Sequence, residues 1–286
     1  MSHTDTLRQL LAGPKIIPMP GVFDAMSVRL AERAGFSAAF MSGFMVSAAR
    51  IGMPDTGLIS YAEMVDQGRN ICDAVSIPVV GDGDTGFGNA VNVKRTVKGY
   101  AAAGFACVMI EDQLAPKRCG HTQGKQVVSR KEAFQRIQAA VDAREEGSDI
   151  LIMARTDANA TDGIEEAISR CQEFRKIGVD ITFLEAPRDK DEMKRYCDDV
   201  DGPKMANMVE QGKTPFLSPA ELEKIGYKVG IWPAALMLAA IDGMRRELAR
   251  LHSGIAAEDG KATFPELQEL VGFPDYYVAE KRYAAE

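Results

Sequence analysis

The sequence predicts a single (β/α)8 barrel followed by a helical extension. Three observations carry this reading: eight short apolar runs recur at similar spacing, segments of helical periodicity separate them, and no linker-like or low-complexity stretch divides the chain. Continuous apolar runs are what a parallel sheet covered by helices requires. The runs are 15–19, 38–41, 77–80, 107–110, 150–153, 181–184, 204–206 and 228–231, the last two weaker than the rest. Predicted helices cover about 24–34, 61–74, 89–103, 130–146, 163–177, 190–199, 218–225 and 234–252. Ser129 followed by Glu132 reads as a capping box, Ser218 with Pro219 opens another helix, and Gly104 and Gly178 follow helical runs. Without the two weak strands six would remain, and a doubly wound sheet is the alternative fold.

The barrel is assigned residues 1–252 and the extension 253–286. Ser253, Gly254, Asp259 and Gly260 mark a loop, after which Phe264, Leu267, Leu270 and Val271 repeat at helical spacing. Such a stripe needs cover, either from its own barrel or from a neighbouring subunit.

At 286 residues the chain is long enough to bury a full core, and its 46% apolar and 26% charged content is that of an ordinary globular protein. Its 34 basic against 41 acidic residues argue against nucleic-acid and polybasic membrane partners. The longest apolar stretch, 231–241, contains Pro233 and is too short to span a bilayer. A polar N-terminus without a secretory apolar core, and five scattered cysteines without a CxxC pair, predict a cytoplasmic location.

Barrels of this kind work at the C-terminal ends of their strands. The exits carry Ser42 and Gly43; Asp82 through Gly88; Glu111 and Asp112; Arg155, Thr156 and Asp157; Glu185; and Asn207. Polar residues converging from so many separate strands point to a site and not to solvated loops. Gly81, Gly83 and Gly86 match GxGxxG formally, but Asp82 and Asp84 would repel a pyrophosphate. With Glu111, the same carboxylates form a hard oxygen site suited to Mg²⁺, and Mn²⁺ fits the same chemistry. An EF-hand is excluded because the twelfth position counted from Asp82 is Val93. The competing reading of the Asp pair is a turn whose carboxylates cap the helix near Asn89.

Lys117, Arg118, Cys119, Gly120 and His121 lie in a connection over 112–129 that is long for a compact domain and suits an active-site lid. The adjacent positive charge favours the Cys119 thiolate, making this thiol a candidate acid or nucleophile. The other cysteines lack such surroundings, and Cys107 reads as strand core. Zinc at Cys119 and His121 finds no further ligand pair.

Taken together, Ser42 and Gly43, Pro54, Asp55 and Gly57, Asp82 to Gly88, Ile110 to Gln113, Lys117 to His121, and Ala154 to Asp157 resemble the isocitrate lyase and phosphoenolpyruvate mutase superfamily over most of the chain. The resemblance implies a modified (β/α)8 barrel, a homotetramer, and a C-terminal helix exchanged between subunits. It implies that Asp82 binds Mg²⁺ directly while Asp55, Asp84 and Glu111 act largely through waters. Ser42, Gly43 and Arg155 would hold the carboxylate of a 2-oxo acid. Cys119, with His121 and Glu185 nearby, would be the lyase acid, and Lys117 belongs to the same catalytic set. Phe44, Asn207 and Gly120 complete the substrate-binding set.

The segment 207–215 and the run 42–47 look like the branch that cleaves 2-alkylmalates such as 2,3-dimethylmalate, with methylisocitrate lyases adjacent. Phe44 and Met45 fit either a less charged substrate or barrel packing. The expected activity is Mg²⁺-dependent cleavage of a hydroxy-dicarboxylate. Oxaloacetate decarboxylation, in which the thiol is dispensable, and a dicarboxylate-binding scaffold are the alternatives.

Overall fold

The computed structural model describes residues 1–118, 124–255 and 261–284. Eight parallel strands close in sequential order: β1 (Ile17–Val22), β2 (Ala39–Met41), β3 (Val79–Asp82), β4 (Cys107–Glu111), β5 (Leu151–Thr156), β6 (Ile181–Leu184), β7 (Lys204–Asn207) and β8 (Val229–Trp232). The last strand pairs with the first through Ile17↔Val229 and Met19↔Ile231. Both weakly predicted strands are therefore real, and the open-sheet alternative is excluded.

The helices are α1 (His3–Ala12), α2 (Ala25–Arg33), α3 (Gly43–Ile51), α4 (Tyr61–Cys72), α5 (Ala90–Ala102), α6 (Arg130–Glu145), α7 (Ala158–Thr161), α8 (Ile164–Ile177), α9 (Lys190–Asp199), α10 (Pro219–Ile225), α11 (Ala235–Ser253), α12 (Phe264–Leu270) and α13 (Phe273–Tyr283). The chain divides into two compact units, Met1–Leu236 and Met237–Glu286. None of the described helices is long and apolar enough to cross a membrane.

Three helices, α1, α3 and α7, have no counterpart in the sequence prediction. Ser2 caps α1 by accepting from the Asp5 amide at 3.2 Å, and Leu7 is fully buried in a cluster with Ile17, Ala38 and Ala106 at the strand starts. This helix plugs the N-terminal end of the barrel. Its polar face hid it, because only Leu7, Leu10 and Leu11 supply apolar contact.

The capping box expected at Ser129 is only half formed. Ser129 Oγ accepts from the Glu132 amide at 3.3 Å, but the Glu132 carboxylate turns to the Arg136 guanidinium at 2.6 Å. Ser218 and Glu221 form the reciprocal arrangement in full.

The barrel interior is built from alternate residues, as the two-residue period of a strand dictates. Val80, Met109, Met153, Phe183 and Met205 belong to one buried cluster inside the barrel. Two positions further along the chain, on the same inward parity, stand Asp82, Glu111, Arg155 and Asn207 within their strands and Glu185 just past the end of β6. The apolar interior thus ends in a polar top layer that faces the C-terminal mouth.

Candidate active site

Asp82 is the last residue of β3, and both its carboxylate oxygens are oriented by backbone amides. Oδ2 accepts from Gly43 N at 3.1 Å and Oδ1 from Asp84 N at 3.1 Å. Tyr100 donates its hydroxyl to the Asp82 carbonyl at 2.7 Å, pinning the strand end from below. The approach of β2 to this carboxylate depends on the missing side chain at Gly43, since a Cβ there would lie 2.8 Å from Asp82 Oδ2. Ser42 is buried at the N-terminus of α3, and its side chain makes no cap bond.

Asp84 follows in the left-handed region, at φ 49°. That conformation turns its carboxylate to Lys117, whose Nζ lies 2.8 Å from Asp84 Oδ1 and 2.5 Å from Asp55 Oδ1. Burial, reinforced by Asp82 and Asp55, pushes Asp84 up to about 7 against the pull of Lys117. Burial works against the charge on Lys117, but Asp84, Asp55, Asp82 and Glu111 hold its pKa well above the usual lysine range. Helix α5 is capped by Asn89, which accepts from the amides of Val91 and Asn92 at 2.9 and 3.2 Å. Asp82 and Asp84 therefore do not cap that helix, and the competing reading of the pair fails.

Glu111 ends β4 and is raised by burial, with Asp157 and Asp84 adding to the effect and Arg155 opposing it. Its Oε2 meets Arg155 Nε at 3.3 Å, while Oε1 is buried with no hydrogen-bond partner. Arg155 reaches further: Nε and Nη2 donate to Asp157 Oδ2 and Oδ1 at 2.8 and 3.1 Å, and Nη2 lies 3.6 Å from Glu185 Oε2. Its guanidinium also lies over the Phe183 ring, 5.2 Å from the centroid. Asn207 donates to Glu185 Oε2 at 3.3 Å, extending this row of residues to β7.

An orphaned, buried carboxylate oxygen among four acidic side chains is what a hard cation would relieve, so the residues present fit magnesium. Among the described residues no three His, Cys, Asp or Glu side chains converge as a ready-made chelate. The Lys117 ammonium stands between Asp55 and Asp84, while Asp82 is oriented separately by two backbone amides.

The predicted residues thus fall into two touching groups. Asp55, Asp82, Asp84 and Lys117 meet beside Gly43, and Glu111, whose amide donates to the Asp84 carbonyl at 2.9 Å, links them to Arg155, Glu185 and Asn207. Phe44 opens α3 and is 40% exposed, whereas Met45 is buried, so packing accounts for the second of that pair. Cys119, Gly120 and His121 lie outside the described residues.

Sequence reasoning missed the supports behind the ring. Asp112 accepts from Thr156 Oγ1 at 2.6 Å, from Asp157 N at 2.9 Å and from Arg170 Nη1 at 2.9 Å. Arg170 also donates to the Val128 carbonyl at 3.0 Å, joining the two ends of the 112–129 connection. Gln113 accepts from Arg118 N at 2.9 Å and donates to the Arg118 carbonyl at 2.8 Å, and Arg136 donates to the Gln113 carbonyl at 2.8 Å. The connection is therefore mounted on a braced neck. The acidic pair Glu111 and Asp112 was visible in the sequence, but strand alternation was needed to see that one faces the mouth and the other its supports.

Fold and rim together define a (β/α)8-barrel enzyme with an anionic, arginine-containing active site at the C-terminal mouth. The sequence matches the phosphoenolpyruvate phosphomutase family over residues 7–252. The chain belongs to the phosphoenolpyruvate mutase and isocitrate lyase superfamily, and within it is a carbon–carbon lyase. It is 42% identical to 2,3-dimethylmalate lyase of Eubacterium barkeri, covering 99% of both chains. It is 39% identical to 2-methylisocitrate lyase of Aeropyrum pernix, covering 97% of this chain and 89% of that one. Among solved structures it resembles oxaloacetate acetylhydrolase in complex with the inhibitor 3,3-difluorooxalacetate, with TM-score 0.95, 34% identity, and 100% and 98% of the two chains covered. It also resembles phosphonopyruvate hydrolase in complex with oxalate and Mg²⁺, with TM-score 0.88, 29% identity, and 99% of each chain covered.

Proposed function

We propose that the protein is a Mg²⁺-dependent lyase that cleaves a 2-alkylmalate such as 2,3-dimethylmalate to a 2-oxo acid, pyruvate or a close relative, plus a carboxylate. The observation that carries this reading is the inward-facing ring of Asp82, Glu111, Arg155, Glu185 and Asn207, which combines one guanidinium with a cluster of buried carboxylates. Near-complete coverage of a 2,3-dimethylmalate lyase supports the substrate class.

Asp82, fixed by two backbone amides, would hold the ion, with Asp55, Asp84 and Glu111 facing its waters. Bound there, a divalent cation supplies stabilisation for negative charge on the C2 oxygen. Arg155 and Ser42 would hold the carboxylate beside C2, and Gly43 keeps Asp82 in place with its amide. Phe44, Asn207 and Gly120 would line the remainder of the substrate. Transfer of the hydroxyl proton to a base lets the freed oxygen electron pair form the C2 carbonyl as the C2–C3 bond breaks, and the electron pair of that bond remains on C3 as a carboxylate-stabilised carbanion. Cys119 then delivers its proton to C3, aided by His121 and Glu185, while Lys117 balances the acidic cluster.

The test is a panel of 2,3-dimethylmalate, 2-methylisocitrate and oxaloacetate, followed by coupled assays for pyruvate or succinate. The proposal expects fastest turnover of the alkylmalate, loss of turnover on chelation, and a Cys119→Ser variant whose kcat falls about a hundredfold or more while KM changes little. Preference for 2-methylisocitrate would reassign the substrate. Oxaloacetate turnover undiminished by Cys119→Ser would replace cleavage with decarboxylation.

A further inference from the structure

Arg155 is placed among three carboxylates, those of Asp157, Glu111 and Glu185 at 2.8, 3.3 and 3.6 Å. A substrate carboxylate approaching that guanidinium meets a surplus of negative charge in a buried setting, where charge interactions are weakly screened. Lys117 acts on the Glu111 side of this group, and Lys125 reaches its Asp157 side. Lys125 Nζ lies 2.7 Å from Asp157 Oδ1, the same oxygen that accepts from Arg155 Nη2, with the two side chains only 2% and 0% exposed.

Burial disfavours the charge on Asp157, yet Arg155 and Lys125 hold its pKa below the usual carboxylate range, so the carboxylate is ionised and shared between the two cations. Lys125 is also firmly mounted. Leu114 N donates to the Gln126 carbonyl at 2.8 Å, Val128 N donates to the Asp112 carbonyl at 2.9 Å, and Gln113 bridges Val127 in antiparallel fashion. Asp157 is fixed in turn by its amide bond to Asp112.

We infer that Lys125 is a positioning residue that takes up the charge of Asp157 and thereby leaves Arg155 able to bind an anionic substrate carboxylate. The inference rests on the proposed role of Arg155 in holding the 2-oxo acid. It adds a residue, Lys125, that neither the motif pattern nor the strand exits single out.

Calorimetric titration of the full chain with oxalate in the presence of Mg²⁺ tests it, alongside KM and kcat for whichever panel substrate is turned over. Lys125→Gln keeps a donor but removes the charge, and is expected to weaken oxalate binding and raise KM by about tenfold or more, with kcat affected far less. Lys125→Arg is expected to restore binding. Combining Lys125→Gln with Asp157→Asn rebalances the charge and is expected to recover part of the lost affinity. Should Lys125→Gln not fold, Lys125→Met and the double variant carry the same comparison. Wild-type affinity in an uncharged variant overturns the inference, as does a double variant no better than the single one. Wild-type protein that neither binds oxalate nor turns over any panel member overturns the proposed function instead, and removes the basis of this inference with it.

Discussion

Gly43 shows how a single missing methyl sets the site. Its amide orients Asp82, and a side chain at that position would sit 2.8 Å from the carboxylate oxygen it serves. A hydrogen bond to a charged acceptor contributes about 1.5–3 kcal/mol. Gly43→Ala is therefore expected to weaken Mg²⁺ binding roughly ten- to a hundredfold, measured by titration calorimetry, while the melting temperature changes little. Unchanged affinity would remove Gly43 from the metal site. Asp84 gives a pH signature of the same cluster. Burial beside Asp82 and Asp55 raises it to about 7, so between about pH 4 and 7 the folded chain binds more protons at this group than the unfolded chain does. Stability from this group must then fall as pH rises through that window. A divalent cation favours the ionised form, so added Mg²⁺ is expected to raise the melting temperature more at about pH 8 than at about pH 5. Equal increments at both pH values would contradict the placement of the ion beside Asp84.

At the scale of elements, legibility followed hydrophobicity. All eight strands are visible as apolar runs, yet β3, β4, β5 and β7 continue one to three residues past the point where those runs stop. The added residues include Asp82, Glu111, Arg155 and Asn207, which break the apolar pattern while retaining strand geometry. Barrel strands end in chemistry, so reading by hydrophobicity alone truncates the part of each strand that matters most. Parity repairs this, because each of these residues stands two places beyond a buried interior side chain. Helix α3 was hidden for a different reason: it starts at Gly43 immediately after β2, and its first turn reads as an apolar strand exit. The mount of the 112–129 connection was out of reach altogether. Its pairing of Gln113 with Val127 and its buried Arg136 and Arg170 depend on contacts between distant residues, and the local pattern there looks like loop.

For the whole molecule, the second unit sets the remaining problem. No described residue of α11, α12 or α13 is buried. Along α11, Met237, Ile241, Met244, Leu248 and Leu251 recur at alternating steps of four and three, the seam spacing of helices that pack on one another. Met244, Leu248 and Leu251 are 55%, 65% and 59% exposed, and Phe264, Tyr276 and Val278 stand open on the following helices. Apolar surface arranged in a stripe on a helix is a contact face, whereas isolated exposed apolar residues need no partner. We propose that this face is covered by other copies of the chain in a homotetramer, with the C-terminal helical segment exchanged between subunits. Light scattering on purified protein is expected to give four times the 31.1 kDa chain mass. Paired Leu248→Glu and Leu251→Glu substitutions place charge on the seam, and are expected to lower that mass while circular dichroism retains the barrel signal. A wild-type mass equal to one chain at working concentration, or a tetramer indifferent to both substitutions, would locate the cover for this stripe elsewhere.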